Sequence, residues 1–190
     1  MKRKYELKER ARRKAETRER IVEATVALHT SIGPARTTIS SIAERAGVER
    51  HTVYAHFPDD GSLLRACSAH WEARHPSPDF EQLAAIEDPV RRLRRSLGEL
   101  YAWYASVEPD LALFLRDATV DPPTAQVVGE MTAAFEGLAE AVAQAWPRRR
   151  GVRAAVGHAF EFETWRSLVR RQGLTRTQAV DAMTRLVESA

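Results

Sequence analysis

The chain of 190 residues is long enough to bury a substantial core, as one large domain or two small ones. Hydrophobic residues make up 44% and charged residues 29%, an ordinary globular composition. The single cysteine, Cys67, excludes an internal disulfide framework and suits a reducing compartment. No apolar run approaches membrane-spanning length, and the first twenty residues are too charged for a secretory signal. These features point to a soluble, cytoplasmic protein with no membrane partner.

The net charge of +3 conceals an asymmetry. Residues 1–16 hold eight Lys/Arg against three Glu, which leaves the rest of the chain slightly acidic. A basic end on an acidic body suits nucleic-acid binding by that end, although a solubilising tail would look alike. This arm, residues 1–16, has no apolar stripe. It is expected to be disordered without DNA and to reach phosphates or a minor groove when DNA is present. From Thr17, a stripe of Ile21, Ala24, Thr25, Leu28 and Ile32 predicts a first helix, stopped by Gly33-Pro34. His29 within it reads as a partly buried core histidine.

The next stretch, Arg36 to Phe57, carries the densest set of signals. Ile39, Ile42, Ala43 and Ala46 predict a short helix over Thr38 to Ala46, with Thr37 or Thr38 as its cap. Gly47 follows the last apolar position, where a left-handed residue closes a helix. A second short helix is expected from about Glu49 to His56, with Val48, Val53 and Phe57 packed back on the first. Two helices around such a glycine make a helix-turn-helix. A hairpin without a DNA role would have the same stripe, but its outer face would be a Glu/Lys mixture. Here the outer face is Arg50, His51, Thr52, Tyr54 and His56.

A recognition helix sets its N-terminal residues against base edges in the major groove. Arg50 can make paired bonds to guanine, and His51 and Thr52 are short enough to meet bases or a thymine methyl. Tyr54 and His56 are spaced to reach phosphates, which fix register rather than sequence. Thr38 and Ser40, opening the preceding helix, can hold a phosphate with hydroxyl and backbone N–H together. Glu49 repels phosphate and reads as a helix start.

The segment from Thr17 to Asp60 resembles the TetR family of transcriptional regulators, in which a T-x-Y-x-H-F run forms the recognition helix. Thr52, Tyr54, His56 and Phe57 match that run. The resemblance covers about a quarter of the chain, and the DNA-contact positions above agree with it one by one. His29 stands where the family usually has a large aromatic. Relatives commonly carry a lysine near Asp60, so the phosphate contact made there is expected to be missing. His51 and Ala55 depart from the commoner Gly and Tyr, so the operator sequence does not transfer.

Beyond Pro58, Asp59 or Asp60 can cap a fourth helix through Leu63, Leu64, Cys67 and Trp71 that links head to body. The two prolines of His75 to Asp79 mark a boundary. The remainder reads as helical. Pro89 opens one segment through Tyr104, and Pro109 opens a separate short helix with Leu111 and Phe114. Thr124 to Trp146 is a long helix ended by Pro147 and Arg148 to Arg150. Val152 to Gln172 follows, and a Thr175–Gln178 capping box starts the last helix, with Val180, Met183, Leu186 and Val187 on one face.

Signals for catalysis are missing. There is no G-x-S-x-G, G-x-x-x-x-G-K, G-x-G-x-x-G or H-E-x-x-H motif. His51/His56 and His70/His75 are five apart, where paired zinc ligands on a helix need four. No enzyme activity, metal or cofactor is expected. The expected fold is all-α: a basic arm (residues 1–16), a three-helix helix-turn-helix head (residues 17–60) and a helical ligand-binding and dimerisation body (residues 61–190).

The family resemblance implies a ligand cavity among the middle helices. Tyr101, Trp103, Tyr104, Phe114, Phe135, Phe162 and Trp165 are its candidate lining, with Glu161, Glu163 or His158 as polar anchors, although aromatics at helical spacing also build cores. The resemblance further implies a homodimer through the last two helices, whose stripes an intramolecular pair would equally explain. The function expected is a dimeric repressor, released from a palindromic double-stranded DNA operator by an unidentified small and largely apolar effector, with the fourth helix as lever. An all-α small-molecule-binding protein without operator recognition is the rival.

Overall fold

In the computed structural model, which describes residues 2–146 and 150–190, the described residues form ten α-helices and no strand. The all-α expectation holds. The chain divides into two compact units. The first takes the residues up to Pro76 together with Pro109–Val128, and the second takes Ser77–Glu108 with Gly129–Ala190.

The first unit opens with α1, Lys2–His29. Its start corrects the expectation of a disordered arm, because the basic residues continue the helix. No Gly or Pro interrupts them, and Glu9 pairs with Arg12 (2.6 Å) and Arg13 (3.3 Å) one turn on. The end of α1 also differs from the expectation. Its last turn tightens, with the Ser31 N–H donating to Leu28 O (3.1 Å), and leaves Ile32 39% exposed rather than on the buried face. A 3-10 turn at Pro34–Arg36 leads into α2 (Ile39–Ala46), α3 (Arg50–His56) and α4 (Asp60–Arg74). One core joins them: Ile21, Val22 and Ala24 from α1, Ile42, Ala43 and Ala46 from α2, then Val53, Phe57 and Leu63. His29 is buried, as read from the sequence.

The second unit begins at α5, Phe80–Ala84, which Asp79 caps by accepting the Gln82 N–H (3.1 Å). Next comes α6, Pro89–Asp117, one helix of 29 residues with Pro109 inside it, which corrects the expected break there. Proline removes an N–H and crowds the carbonyl four residues back. The stripe of Tyr104, Val107 and Leu111 nevertheless continues across it fully buried, and that burial outweighs the lost bond. Helix α7, Pro122–Ala143, starts two residues earlier than expected. Pro122 tolerates the first position, and Asp121 Oδ2 accepts from Thr124 N (2.9 Å) and Oγ1 (2.5 Å). Pro147, Arg148 and Arg149, read as its terminator, lie outside the described residues.

The segment expected as one helix from Val152 to Gln172 is interrupted. Helix α8 (Arg150–Phe160) gives way at Glu161, in extended conformation, to α9 (Phe162–Arg166) and a π-helical turn over Ser167–Arg171. Two hydroxyls from α6 explain the break. Tyr101 O–H donates to Ala159 O (2.8 Å) and Tyr104 O–H to Phe160 O (2.6 Å), satisfying carbonyls that end a helix without intrahelical partners. Helix α10, Arg176–Ser189, carries the expected Thr175–Gln178 capping box. It buries Val180, Met183 and Val187, while Leu186 stays 40% exposed.

Candidate nucleic-acid interface

The turn between α2 and α3 is fixed by local chemistry at both ends. Thr38 Oγ1 accepts the Ser41 N–H (3.1 Å) and Ser41 Oγ accepts the Thr38 N–H (3.1 Å), a reciprocal cap at the start of α2. At the other end Gly47 sits at φ 64°, ψ 44°, a left-handed conformation that a Cβ would strain. The Val48 N–H then reaches back to Ala43 O (3.0 Å), closing the helix. Val53, completely buried, plugs α3 onto this frame. With its inner side so held, α3 has no rotational freedom, and the orientation of its outer residues follows.

Arg50, His51 and Tyr54 are exposed, Tyr54 by 45%, while Thr52 and His56 are half-buried. Among the described residues Arg50, His51 and Tyr54 make no hydrogen bond or ion pair. Thr38 and Ser40 are exposed at the opening of α2, with the Thr38 hydroxyl already engaged in the cap. All seven residues named from the sequence therefore lie in the two helices of one supersecondary unit. Glu49 precedes α3 as its cap residue without a side-chain capping bond.

Positive charge from α1 gathers beside this face. Arg18 lies over the Phe57 ring (4.7 Å). The His56 imidazole is held below its ordinary value, first by burial and then by the charges of Lys14 and Arg18. Phosphate nearby would reverse that repulsion and favour the imidazolium. The arrangement offers a rigid row of short polar and cationic side chains with a basic flank, suited to base edges and phosphate oxygens.

Two supports of the head were not visible in the sequence. Arg20 Nη1 of α1 donates to Ala46 O (3.2 Å), tying down the end of α2. The last turn of α6 grips the corner ahead of α2: Asp117 Oδ2 accepts the Ala35 N–H (3.0 Å), and Arg116 Nη2 donates to Ile32 O (3.0 Å). Gly33, at φ 94°, sits so close that a Cβ would fall on the Asp117 carboxylate and the Arg116 guanidinium. Burial alone would raise the Asp117 carboxyl, but the bonds from Arg116 and Ala35 and the charges of Arg116 and Arg36 hold it below the usual carboxylate range.

The seven aromatic residues named from the sequence separate. Tyr101, Trp103, Tyr104, Phe135, Phe162 and Trp165 form one cluster in the second unit, with ring centroids 5.3–6.5 Å apart. Phe114 belongs to the first unit, edge-on to His29 (6.1 Å). Within the cluster the two tyrosine hydroxyls are engaged by the α8 carbonyls, and burial pushes both phenols well above their usual value. The suggested polar anchors pair elsewhere: His158 Nδ1 lies 3.5 Å from Glu161, and Glu163 meets Arg166 and Arg171 (3.3 Å each).

Comparison with known proteins agrees with the geometry. Residues 21–67 match the family described as bacterial regulatory proteins, tetR family. Over 88 residues, 45% of this chain, the sequence is 35% identical to the HTH-type transcriptional regulator TtgR of Pseudomonas putida, and the match spans 41% of that relative's length. Among solved structures, the chain is similar to a TetR transcription regulator from Haloarcula marismortui (TM-score 0.61, 16% identity, 92% of this chain and 96% of that one). It is also similar to the multidrug binding protein EbrR complexed with imidazole (TM-score 0.57, 22% identity, 89% and 88%). The glycine-locked α2–α3 pair lies wholly inside the matched residues, and the chain belongs to the TetR family of transcriptional regulators.

Proposed function

We propose that the protein is a sequence-specific DNA-binding repressor that works as a homodimer in the cytoplasm and leaves a palindromic operator when a small, largely apolar ligand binds. The observation that carries this reading is the outer face of α3. Arg50, His51 and Tyr54 project from a helix that is locked on its inner side and find no partner within their own chain. Arg50 reads a guanine, His51 and Thr52 meet neighbouring bases, and Tyr54, His56, Thr38 and Ser40 hold phosphates. The basic start of α1 adds phosphate contacts beyond the groove.

Dimerisation through α8 and α10 places two such faces on successive major grooves, roughly 34–36 Å apart, so the operator is an inverted repeat. Support comes from the family membership, and from the exposure of Leu186 on a helix that is otherwise apolar on its inner side. For the effector, the aromatic cluster of the second unit supplies an apolar surface, and half-buried Phe135 is its most accessible ring. The likeness to a multidrug binding protein is in keeping with such a ligand. Arg116 and Asp117, at the end of α6, grip the corner before α2, so α6 joins α4 as a lever between ligand and head.

The test is a gel shift with DNA from upstream of the protein's own gene, titrated with salt. A shift confined to an inverted repeat, weakening by about 0.9 log units per log unit of salt for each phosphate contact, is the expected result. Equal affinity for every fragment, or protection of one asymmetric half-site, would overturn the reading.

A further inference from the structure

A cavity of about 250 Å³ lies wholly within the first unit, walled by the ends of α1 and of the α1–α2 corner, the start of α2, and the starts of α4 and α7. It is separate from the aromatic cluster, which belongs to the other unit. Its floor is apolar, formed by the buried side chains of Ile42, Leu63 and Leu64. Its rim carries two carboxylates, Asp60 and Asp121, and none of its lining residues is a lysine or arginine.

Neither rim carboxylate is neutralised. Asp60 is exposed and makes no hydrogen bond or ion pair among the described residues. Asp121 is half-buried, and only its Oδ2 is engaged, by Thr124 N (2.9 Å) and Oγ1 (2.5 Å). The remaining polar wall is His29. Burial pushes its imidazole down to about 4 while Asp121 and Asp117 pull it upward, so at neutral pH it is uncharged and lies in a negative field. An anion entering here would meet two like charges over a floor unable to compensate them. A neutral polar molecule would leave both carboxylates unanswered.

We propose that this cavity binds a small organic cation, an ammonium group on a compact apolar body. The ammonium sits between Asp60 and Asp121, and the body rests on Ile42, Leu63 and Leu64. The volume is below the about 300–1,000 Å³ of sites for drug-sized molecules, which limits the ligand to a single ring or a short branched chain. The neutral imidazole of His29 bounds the pocket without repelling the charge.

The experiment titrates the full-length protein at pH 7.5 with benzylammonium, benzyl alcohol and benzoate, three probes of one shape and different charge, and follows the His29 ring resonances by NMR. Benzylammonium is expected to shift them saturably, benzyl alcohol to bind at least about tenfold more weakly, and benzoate to leave them unmoved. Asp121→Asn keeps an oxygen for the Thr124 cap and Asp60→Asn lies on an exposed first turn, so both variants stay folded. Each is expected to weaken benzylammonium about tenfold. Equal binding of the alcohol and the ammonium, unchanged affinity in both variants, or no saturable shift of His29 would overturn the proposal. The readout involves no DNA, so its outcome is independent of operator recognition.

Discussion

The outer face of α3 and the aromatic cluster of the second unit are built from similar residue types, yet their polar atoms have opposite fates. On α3, Arg50, His51 and Tyr54 stand exposed without partners in the chain. In the cluster, the hydroxyls of Tyr101 and Tyr104 close the carbonyl end of α8, and Trp165 is almost completely buried. The lesson is that residue type alone does not mark a site. A side chain is available for recognition when its polar groups remain unsatisfied by the fold, and it belongs to the core when the fold has already used them.

This contrast makes the two regions respond differently to substitution. The largest effect is expected at the cluster: Trp165→Ala should destabilise the second unit by about 3–5 kcal/mol in chemical denaturation, through lost burial and the cavity left behind. A loss below 1 kcal/mol would mean that the ring is not core.

A smaller effect of about 2 kcal/mol is expected from acid on the first unit. His29 titrates near 4 in the fold and near 6.5 when unfolded, so the unfolded chain takes up the proton first. Stability should therefore fall as the pH drops from about 6.5 towards 4, reaching that loss near pH 5. Denaturation of the wild type and His29→Gln at pH 7 and pH 5 isolates the contribution. Identical pH dependence in the two proteins would show that His29 is not buried in its neutral form.

The smallest effect in the second unit concerns the hydroxyls. Tyr104→Phe removes the donor to Phe160 O with little change of volume, and about 1 kcal/mol should be lost. If thermal unfolding were unaltered, the phenol would be free after all and would return to the list of groups able to meet a ligand.

Legibility in the sequence followed the same division. The Thr38 cap, the Gly47 turn and the Val53 plug are signalled within twenty residues, so the head and its outer face could be read directly. Pro109 and Glu161 could not. The first is overridden by a buried stripe that continues past it, and the second has no breaker of its own. It marks a gap made by tyrosines 56 and 58 positions away in sequence. Arg20 on Ala46 O and Asp117 on Ala35 N act across 26 and 82 positions, where no periodicity carries a signal. Phe114 looked like its six aromatic companions because ring content says nothing about which unit a ring joins.

The claim that the free face of α3 reads DNA is tested most directly by Arg50→Ala, measured on the operator and on random DNA at several salt concentrations. Because Arg50 is exposed and unpaired, folding stability should change by less than about 0.5 kcal/mol. Operator affinity should fall by about 1–3 kcal/mol, with a much smaller loss on random DNA. Equal weakening on both DNAs would contradict this, reducing Arg50 to a phosphate contact and leaving base reading to His51, Thr52 and Ser40.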